Sequence, residues 1–225
     1  AQIGNEEVTN GDFSQIGSEL VVNGDFDSAS NWSTPTGWDI SDGKLKGTNL
    51  SAVSATQGGY SSFVGKSFKI VFTVSDYVQG GVRIYLGGTQ PTTVRTANGT
   101  FTEYITIYNA NNTLYIQGVD GFTGNIDSIS VKNNAVDWTV SEGWSTDGTK
   151  AISDTGSGYV NINQTTSIAI NKSYKVSFTL SDYSAGDVQF IIGNSGSRPS
   201  GVLRSANGTY TEDITVDPST VDADK

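Results

Sequence analysis

The chain has no histidine, cysteine or methionine, which excludes an imidazole base, a thiol nucleophile, a disulfide and any His or Cys metal ligand. Serine hydroxyls are abundant but have no histidine to activate them. The chemistry left is that of carboxylates, aromatic rings and planar polar groups. Asp127, within Ile126-Asp127-Ser128-Ile129-Ser130-Val131, shares strand parity with Ile129 and Val131. A regular strand would turn its carboxylate inward, which is costly without a cation or several donors. A bulge turning Asp127 to solvent, or a pairing with Lys44, would relieve the same cost. A second group has the chemistry of sugar recognition, in which flat rings stack on pyranose C–H faces and planar polar groups take up hydroxyl hydrogen bonds. Arg83, Tyr85, Tyr104, Tyr108, Tyr115 and Gln117 all lie on the parity opposite the apolar residues. If their strands are neighbours they form one aromatic platform; otherwise they are solvent-side β residues paired across strands. The acids fall mostly at turns, without the facing carboxylates of a glycosidase, so no enzymatic activity is expected. Triplets such as Asn98-Gly99-Thr100 read as turns.

The elements that must carry these residues have period 2. In Phe68-Lys-Ile70-Val-Phe72-Thr-Val74 the even positions are large and apolar, and Val82, Ile84 and Leu86 repeat the pattern around Arg83 and Tyr85. Ile105 and Ile107 alternate with Tyr104, Thr106 and Tyr108. Glycines punctuate the runs at Gly58-Gly59, Gly80-Gly81 and Gly87-Gly88, and Asn98-Gly99 is a hairpin-turn signal. No window carries a helical period. The expected fold is all-β, with two tandem antiparallel β-sandwich modules of jelly-roll type and an N-terminal strand arm.

The tandem arrangement comes from self-similarity. Shifted by 106 residues, Phe68–Gly88 overlies Tyr174–Asn194 with 9 of 21 positions identical, and the twelve residues Arg95–Thr106 match Arg204–Thr215 at 9 of 12. Trp32 and Gly37-Trp38 return as Trp138 and Gly143-Trp144. The expected boundaries are an arm at 1–18, a first module at 19–134 and a second at 135–225. Both copies keep Trp38 and Trp144, expected to plug the sandwich. They also keep Asp76, Arg95, Asp182 and Arg204, expected as one repeated ion pair, Asp76 with Arg95 and Asp182 with Arg204. The arm anticipates the first module, since Val8-Thr-Asn10-Gly-Asp-Phe13 resembles Val21-Val-Asn23-Gly-Asp-Phe26. The second copy lacks that segment before Trp138 and has no counterpart of Leu114–Gln117 or Gly124–Val131.

The Asn-Gly-Asp-Phe segments, the Gly-Trp pair and the closing Ile126-Asp-Ser-Ile-Ser-Val131 resemble the jelly-roll carbohydrate-binding modules whose first strand reads Asn-Gly-x-Phe-(Glu/Asp) and whose last reads Ile-Asp-x-(Val/Ile)-Ser-(Val/Leu). The Arg95–Tyr104 and Gly121–Lys132 segments are also similar to repeats in tail-fibre and virion-appendage proteins of environmental bacteriophages, a likeness that covers both modules and the arm. The resemblance implies, in the first module only, a structural calcium shared with backbone carbonyls by acids at the ends of the first and last strands, matched here by Asp27 and Asp127; oxygen-only ligation suits Ca²⁺. It further implies a virion-surface, extracellular location and adhesion to host glycan by a fibre segment. The alternatives are a secreted non-catalytic polysaccharide-binding module and an architectural filament subunit.

Lys+Arg 13 against Asp+Glu 23 gives a formal charge of −10, which repels phosphate backbones and anionic lipid, so neither nucleic acid nor membrane insertion is expected. The start at Ala1 without Met leads to the expectation of a processed chain or a segment of a longer one. The unfinished second module has two readings: the remaining strands follow in a longer fibre protein, or residues 7–14 act as a donor strand to the next subunit of a homo-oligomer or fibre.

Overall fold

The computed structural model describes residues 4–60, 63–88, 91–111, 113–154, 158–193 and 198–217. Every regular element among them is a β-strand and every ladder is antiparallel, so the chain is all-β as its alternation requires. It packs as two compact units, Asn10–Asp154 with Val160–Gln164, and Ala1–Thr9, Thr155–Tyr159 and Thr165–Lys225. The sequence of the second repeat is thus divided, and its Trp138 to Asp154 part belongs to the larger unit.

In the larger unit β1 (Trp38–Ser41), β2 (Lys44–Leu50), β3 (Val53–Gly58), β4 (Ser67–Leu86), β5 (Gly99–Thr106) and β6 (Thr113–Asn133) form one six-stranded sheet in the order β1-β2-β6-β4-β5, with β3 also on β6. The runs Phe68–Val74 and Val82–Leu86, read from the sequence as two strands, are one strand of 20 residues, and Leu114–Gln117 joins Gly124–Val131 in a strand of 21. The reason is visible in the ladder. Register shifts between Thr73 and Val74, Ser75 and Gln79, and Gln79 and Gly81 bend the strand without ending it. The alternation inverts nothing across the bend: Phe68, Ile70, Phe72 and Val74 before it, and Val82, Ile84 and Leu86 after it, share one buried core with Leu114, Ile116, Phe122, Ile126, Ile129 and Val131.

The bend is built from the residues that both repeats keep. Asp76 adopts a left-handed φ of 47°, Tyr77 N–H donates to Asn98 Oδ1 at 2.9 Å, and the Tyr77 hydroxyl donates to the Gly80 carbonyl at 2.9 Å. Asn98 is therefore not the first residue of a hairpin turn; its side chain holds the corner. Gly80, at φ 72°, lies so close to the other strand that an added Cβ would stand 2.3 Å from Phe122 N.

In the smaller unit β11 (Ser173–Leu180) pairs with β12 (Gly208–Thr215), from Ser173 opposite Thr215 to Leu180 opposite Gly208. This is the β4–β5 register of the first repeat, in which Ser67 faces Thr106 and Val74 faces Gly99. The corner recurs: Asp182 has φ 54°, Tyr183 N–H donates to Asn207 Oδ1 at 2.8 Å, and Tyr183 OH to the Gly186 carbonyl at 2.9 Å. The same residues build the same corner although the asparagine follows the tyrosine by 21 residues in the first repeat and by 24 in the second.

The short strands β7 (Thr139–Val140), β8 (Trp144–Thr146), β9 (Ala151–Ser153) and β10 (Ile162–Asn163) complete the larger unit as the pairs β7–β10 and β8–β9. The expected N-terminal strands are not strands. Asn10–Phe13 and Asn23–Phe26 are tight turns, with left-handed φ of 49° and 58° at Asn10 and Phe13 and of 56° and 57° at Asn23 and Phe26. Asn, Gly and Asp favour turns over ladders, which accounts for the difference. Between the two turns Gly17 N–H donates to the Asn133 carbonyl at 2.8 Å, so the first repeat is entered and left at one place.

Candidate functional site

Four of the six platform residues meet on the solvent face beyond the bend. Cross-strand register sets Arg83 opposite Gln117 and Tyr85 opposite Tyr115, while β3 places Ser54 opposite Gln117 and Thr56 opposite Tyr115 on the other side of β6. Arg83 donates from Nε and Nη2 to Gln117 Oε1 at 3.0 and 2.8 Å, and Gln117 Nε2 reaches Ser54 Oγ at 3.4 Å. The Arg83 guanidinium lies over the Tyr85 ring, 5.0 Å from its centroid, and Tyr85 meets Tyr115 edge to face at 6.3 Å. All four side chains are half-buried. Each is held by a neighbour, and the result is a shallow patch of two rings beside a guanidinium and a carboxamide of fixed orientation.

The other two are elsewhere. Tyr104 lies on β5 opposite Lys69, on the first half of β4. Tyr108 follows β5 and donates its hydroxyl to the Trp144 carbonyl at 2.7 Å; burial holds its phenol above the usual pKa, so it stays a donor. One platform of six residues therefore does not form, because β5 borders only the half of β4 before the bend.

Asp127 is relieved by both of the ordinary routes. In the β4–β6 ladder Thr73 faces Ser128 while Val74 faces Ile126, so Asp127 is the extra residue of a bulge and its side chain is partly exposed. Lys44 Nζ stands 3.2 Å from Asp127 Oδ1 and 3.2 Å from Asp76 Oδ2, and Ser75 Oγ donates to the same Asp127 oxygen. Asn125 Nδ2 completes the group, 2.7 Å from Asp76 Oδ2. The hydrogen bond from Lys44 holds the Asp76 carboxyl below its usual range, and the bonds to Asp127 and Asp76 raise the lysine above its own. Asp27 is exposed, beside Gly43. Among the described residues no three acids gather as a metal site. An ammonium group already supplies the positive charge at Asp127, so these side chains do not fit the calcium expected at Asp27 and Asp127.

The expected ion pairs also have other partners. Arg95 pairs with Glu103 and stacks on Phe101, its Cζ 4.7 Å from the ring centroid; Arg204 does the same with Glu212 and Tyr210, at 4.5 Å. Each arginine faces a glutamate eight residues on within its own hairpin, while Asp76 is taken by Lys44. Trp38 is buried, against Phe122 and with Nε1 on the Val53 carbonyl at 3.2 Å; Trp144 is half-buried.

One arrangement was not foreseen. Phe26 packs on Trp32 with ring centroids 5.3 Å apart, Trp32 Nε1 donates to the Asn23 carbonyl at 3.0 Å, and Asn23 Nδ2 donates to the carbonyl of Ser30, two residues before the tryptophan. Phe13 packs on Trp138 at 5.2 Å, Trp138 Nε1 donates to the Asn10 carbonyl at 3.0 Å, and Asn10 Nδ2 donates to the carbonyl of Val136, again two residues before. The turn missing from the start of the second repeat is the turn in the arm, delivered across the whole first repeat. The signal was present in the sequence as one surplus segment and one missing segment of the same kind.

A groove of about 330 Å³ lies between Leu20, Val22, Asn31, Gln57, Tyr60 and Phe63. Its buried amide is used internally: Gln57 Oε1 accepts from Val22 N at 3.0 Å and Nε2 donates to Val22 O at 2.8 Å. No protein-family model matches the chain, and no curated protein does.

Proposed function

We propose that the chain is a non-catalytic segment of a virion appendage or fibre, displayed outside the cell, that adheres to host-surface glycan through the outer face of β3, β4 and β6, with its two repeats as tandem sandwich modules. The observation that carries this reading is the convergence of Arg83, Tyr85, Tyr115 and Gln117 on that face. Tyrosine rings offer C–H stacking to a pyranose, and the guanidinium and carboxamide offer planar hydrogen bonds to vicinal hydroxyls. The face is shallow and half-exposed, which suits weak sites whose avidity comes from many copies on one particle. It presents no carboxylate, which a hydrolase would require in pairs. In the second repeat Tyr85 becomes Ile191 and Tyr104 becomes Asp213, so the first repeat is the stronger binder.

A glycan array probed with the full chain tests the reading. The chain is expected to retain a defined glycan, Tyr85→Ala and Tyr115→Ala to weaken it about tenfold each, and Tyr104→Ala to leave it unchanged. Absence of binding by the unaltered chain, or equal loss with Tyr104→Ala, rejects the site.

A further inference from the structure

On the half of the sheet before the bend, Lys69 of β4 stands directly opposite Lys132 of β6. Like charges paired across a ladder repel, and in a chain of formal charge −10 an acid is the expected neighbour. Among the described residues Lys44, Lys46, Arg95 and Arg204 each pair with a carboxylate, and neither Lys69 nor Lys132 does. Both lysines are half-buried, and both line a cavity of about 180 Å³ whose other walls are Ile16, Val71 and Ser130. Gly17, next to Ile16, is tied to the Asn133 carbonyl beside Lys132, which fixes the arm wall in place.

The local acid does not neutralise the pair. Glu19 meets Lys132 in an isolated bridge, but its carboxylate is taken up by other donors. Oε1 accepts from Leu20 N, Val21 N and Val131 N at 3.1, 3.0 and 2.8 Å, and Oε2 accepts from the Ser130 hydroxyl. The Ser130 hydroxyl is thereby committed, so the two ammonium groups are the donors left to the cavity.

The second repeat shows the ordinary solution. Lys175, the counterpart of Lys69, faces Asp213 across the β11–β12 ladder. In the first repeat the residue facing the lysine from β5 is Tyr104, and β6 sets Lys132 on its other flank. The same lysine is thus left between a phenol and a second cation. A singly charged ligand balances one ammonium group, whereas a dianion balances both.

We propose that Lys69 and Lys132 form a binding site for one tetrahedral dianion, as sulfate or a phosphate monoester presents it, bridging the two ammonium groups by charge-assisted hydrogen bonds. The site lies on the other side of the bend from Arg83 and Tyr85, is distinct from the glycan face and stands or falls without it.

The test is a titration of the full chain with sodium sulfate at constant ionic strength and about pH 8, where phosphate monoesters are dianions, followed by the amide NMR signals. Those of Gly17, Lys69, Ser130 and Lys132 are expected to shift and saturate in the millimolar range, as two exposed charged contacts allow. Sodium chloride should give no saturable shift, and methyl sulfate, of the same shape but singly charged, should bind about tenfold more weakly. Lys69→Gln and Lys132→Gln should each weaken sulfate about tenfold, and Lys175→Gln should leave it unchanged. Methyl phosphate separates the two sources: a tighter complex than sulfate assigns the site to an esterified group, an equal or weaker one to the free ion. The proposal is overturned if these signals do not saturate, if chloride or methyl sulfate acts as strongly as sulfate, or if both glutamine variants, with the remaining amide signals in place, keep full affinity. It is overturned as well if Lys175→Gln costs as much as Lys69→Gln.

Discussion

At the scale of single residues the two Asn-Gly-Asp-Phe turns make a matched comparison. Phe26 is fully buried and Phe13 half-buried, though both pack on a tryptophan at nearly the same distance. Phe26→Ala is expected to cost about 3–5 kcal/mol and Phe13→Ala about 1–2 kcal/mol in urea unfolding. Equal losses would mean that the arm turn is buried as deeply as its twin. The Lys44 group gives a second prediction. Asp76 has its pKa depressed below 3.8 in the folded chain, so its contribution is complete above that value and fades as pH falls through the lower folded pKa. Lys44 is raised above 10.5, so its contribution is complete below 10.5 and fades as pH rises through the higher folded pKa. Lys44→Met should flatten the loss of stability at both ends of the pH range, and calcium or a chelator should leave the Tm of the unaltered chain unchanged. A rise of several degrees on adding calcium would contradict the assignment of Lys44 as the cation at Asp127.

At the scale of elements the bend of β4 and β6 determines which outward residues share a surface. Gly80 sits inside it, and Gly80→Ala combines a left-handed φ with a Cβ 2.3 Å from Phe122 N. It should destabilise the chain by about 2 kcal/mol or more in urea melts. A neutral result would show that the strands can part there at little cost. Alternation was legible in the sequence because it is local: the buried set Phe68, Ile70, Phe72, Val74, Val82, Ile84 and Leu86 could be read directly. Continuity through Ser75–Gly81 was not, because Gly80-Gly81 has the composition of a turn and only pairing with β6 makes it a bend. The platform was half legible for the same reason, since parity placed all six side chains outward but the partners of each strand were needed to separate Tyr104 and Tyr108 from the rest. Asp127 illustrates the limit of parity, because one bulged residue reverses the face that a regular strand would give it.

At the scale of the whole molecule the two units differ in how much apolar surface they bury. The larger has a continuous core drawn from both ends of its long strands, whereas in the hairpin of the smaller the buried aliphatics are Val176 and Ile214, with Val216 just beyond it. Calorimetry of the chain is expected to resolve two transitions, the smaller unit melting first. Val176→Ala, at a cost of about 1–3 kcal/mol, should move only the lower one, and Ile70→Ala, at about 2–5 kcal/mol, only the upper. A single transition shifted by both substitutions would show that the units unfold together.

The Gly17–Asn133 hydrogen bond has a consequence for how such a chain arises and can be rebuilt. A stretch whose two ends meet behaves as a cassette: it can be spliced into a host fold without prising apart the residues on either side. Here the host keeps its opening turn upstream and resumes at Trp138. The same closure makes the cassette a natural candidate for circular permutation, with new termini cut in the loop after Leu86 and the old ones sealed where they already touch.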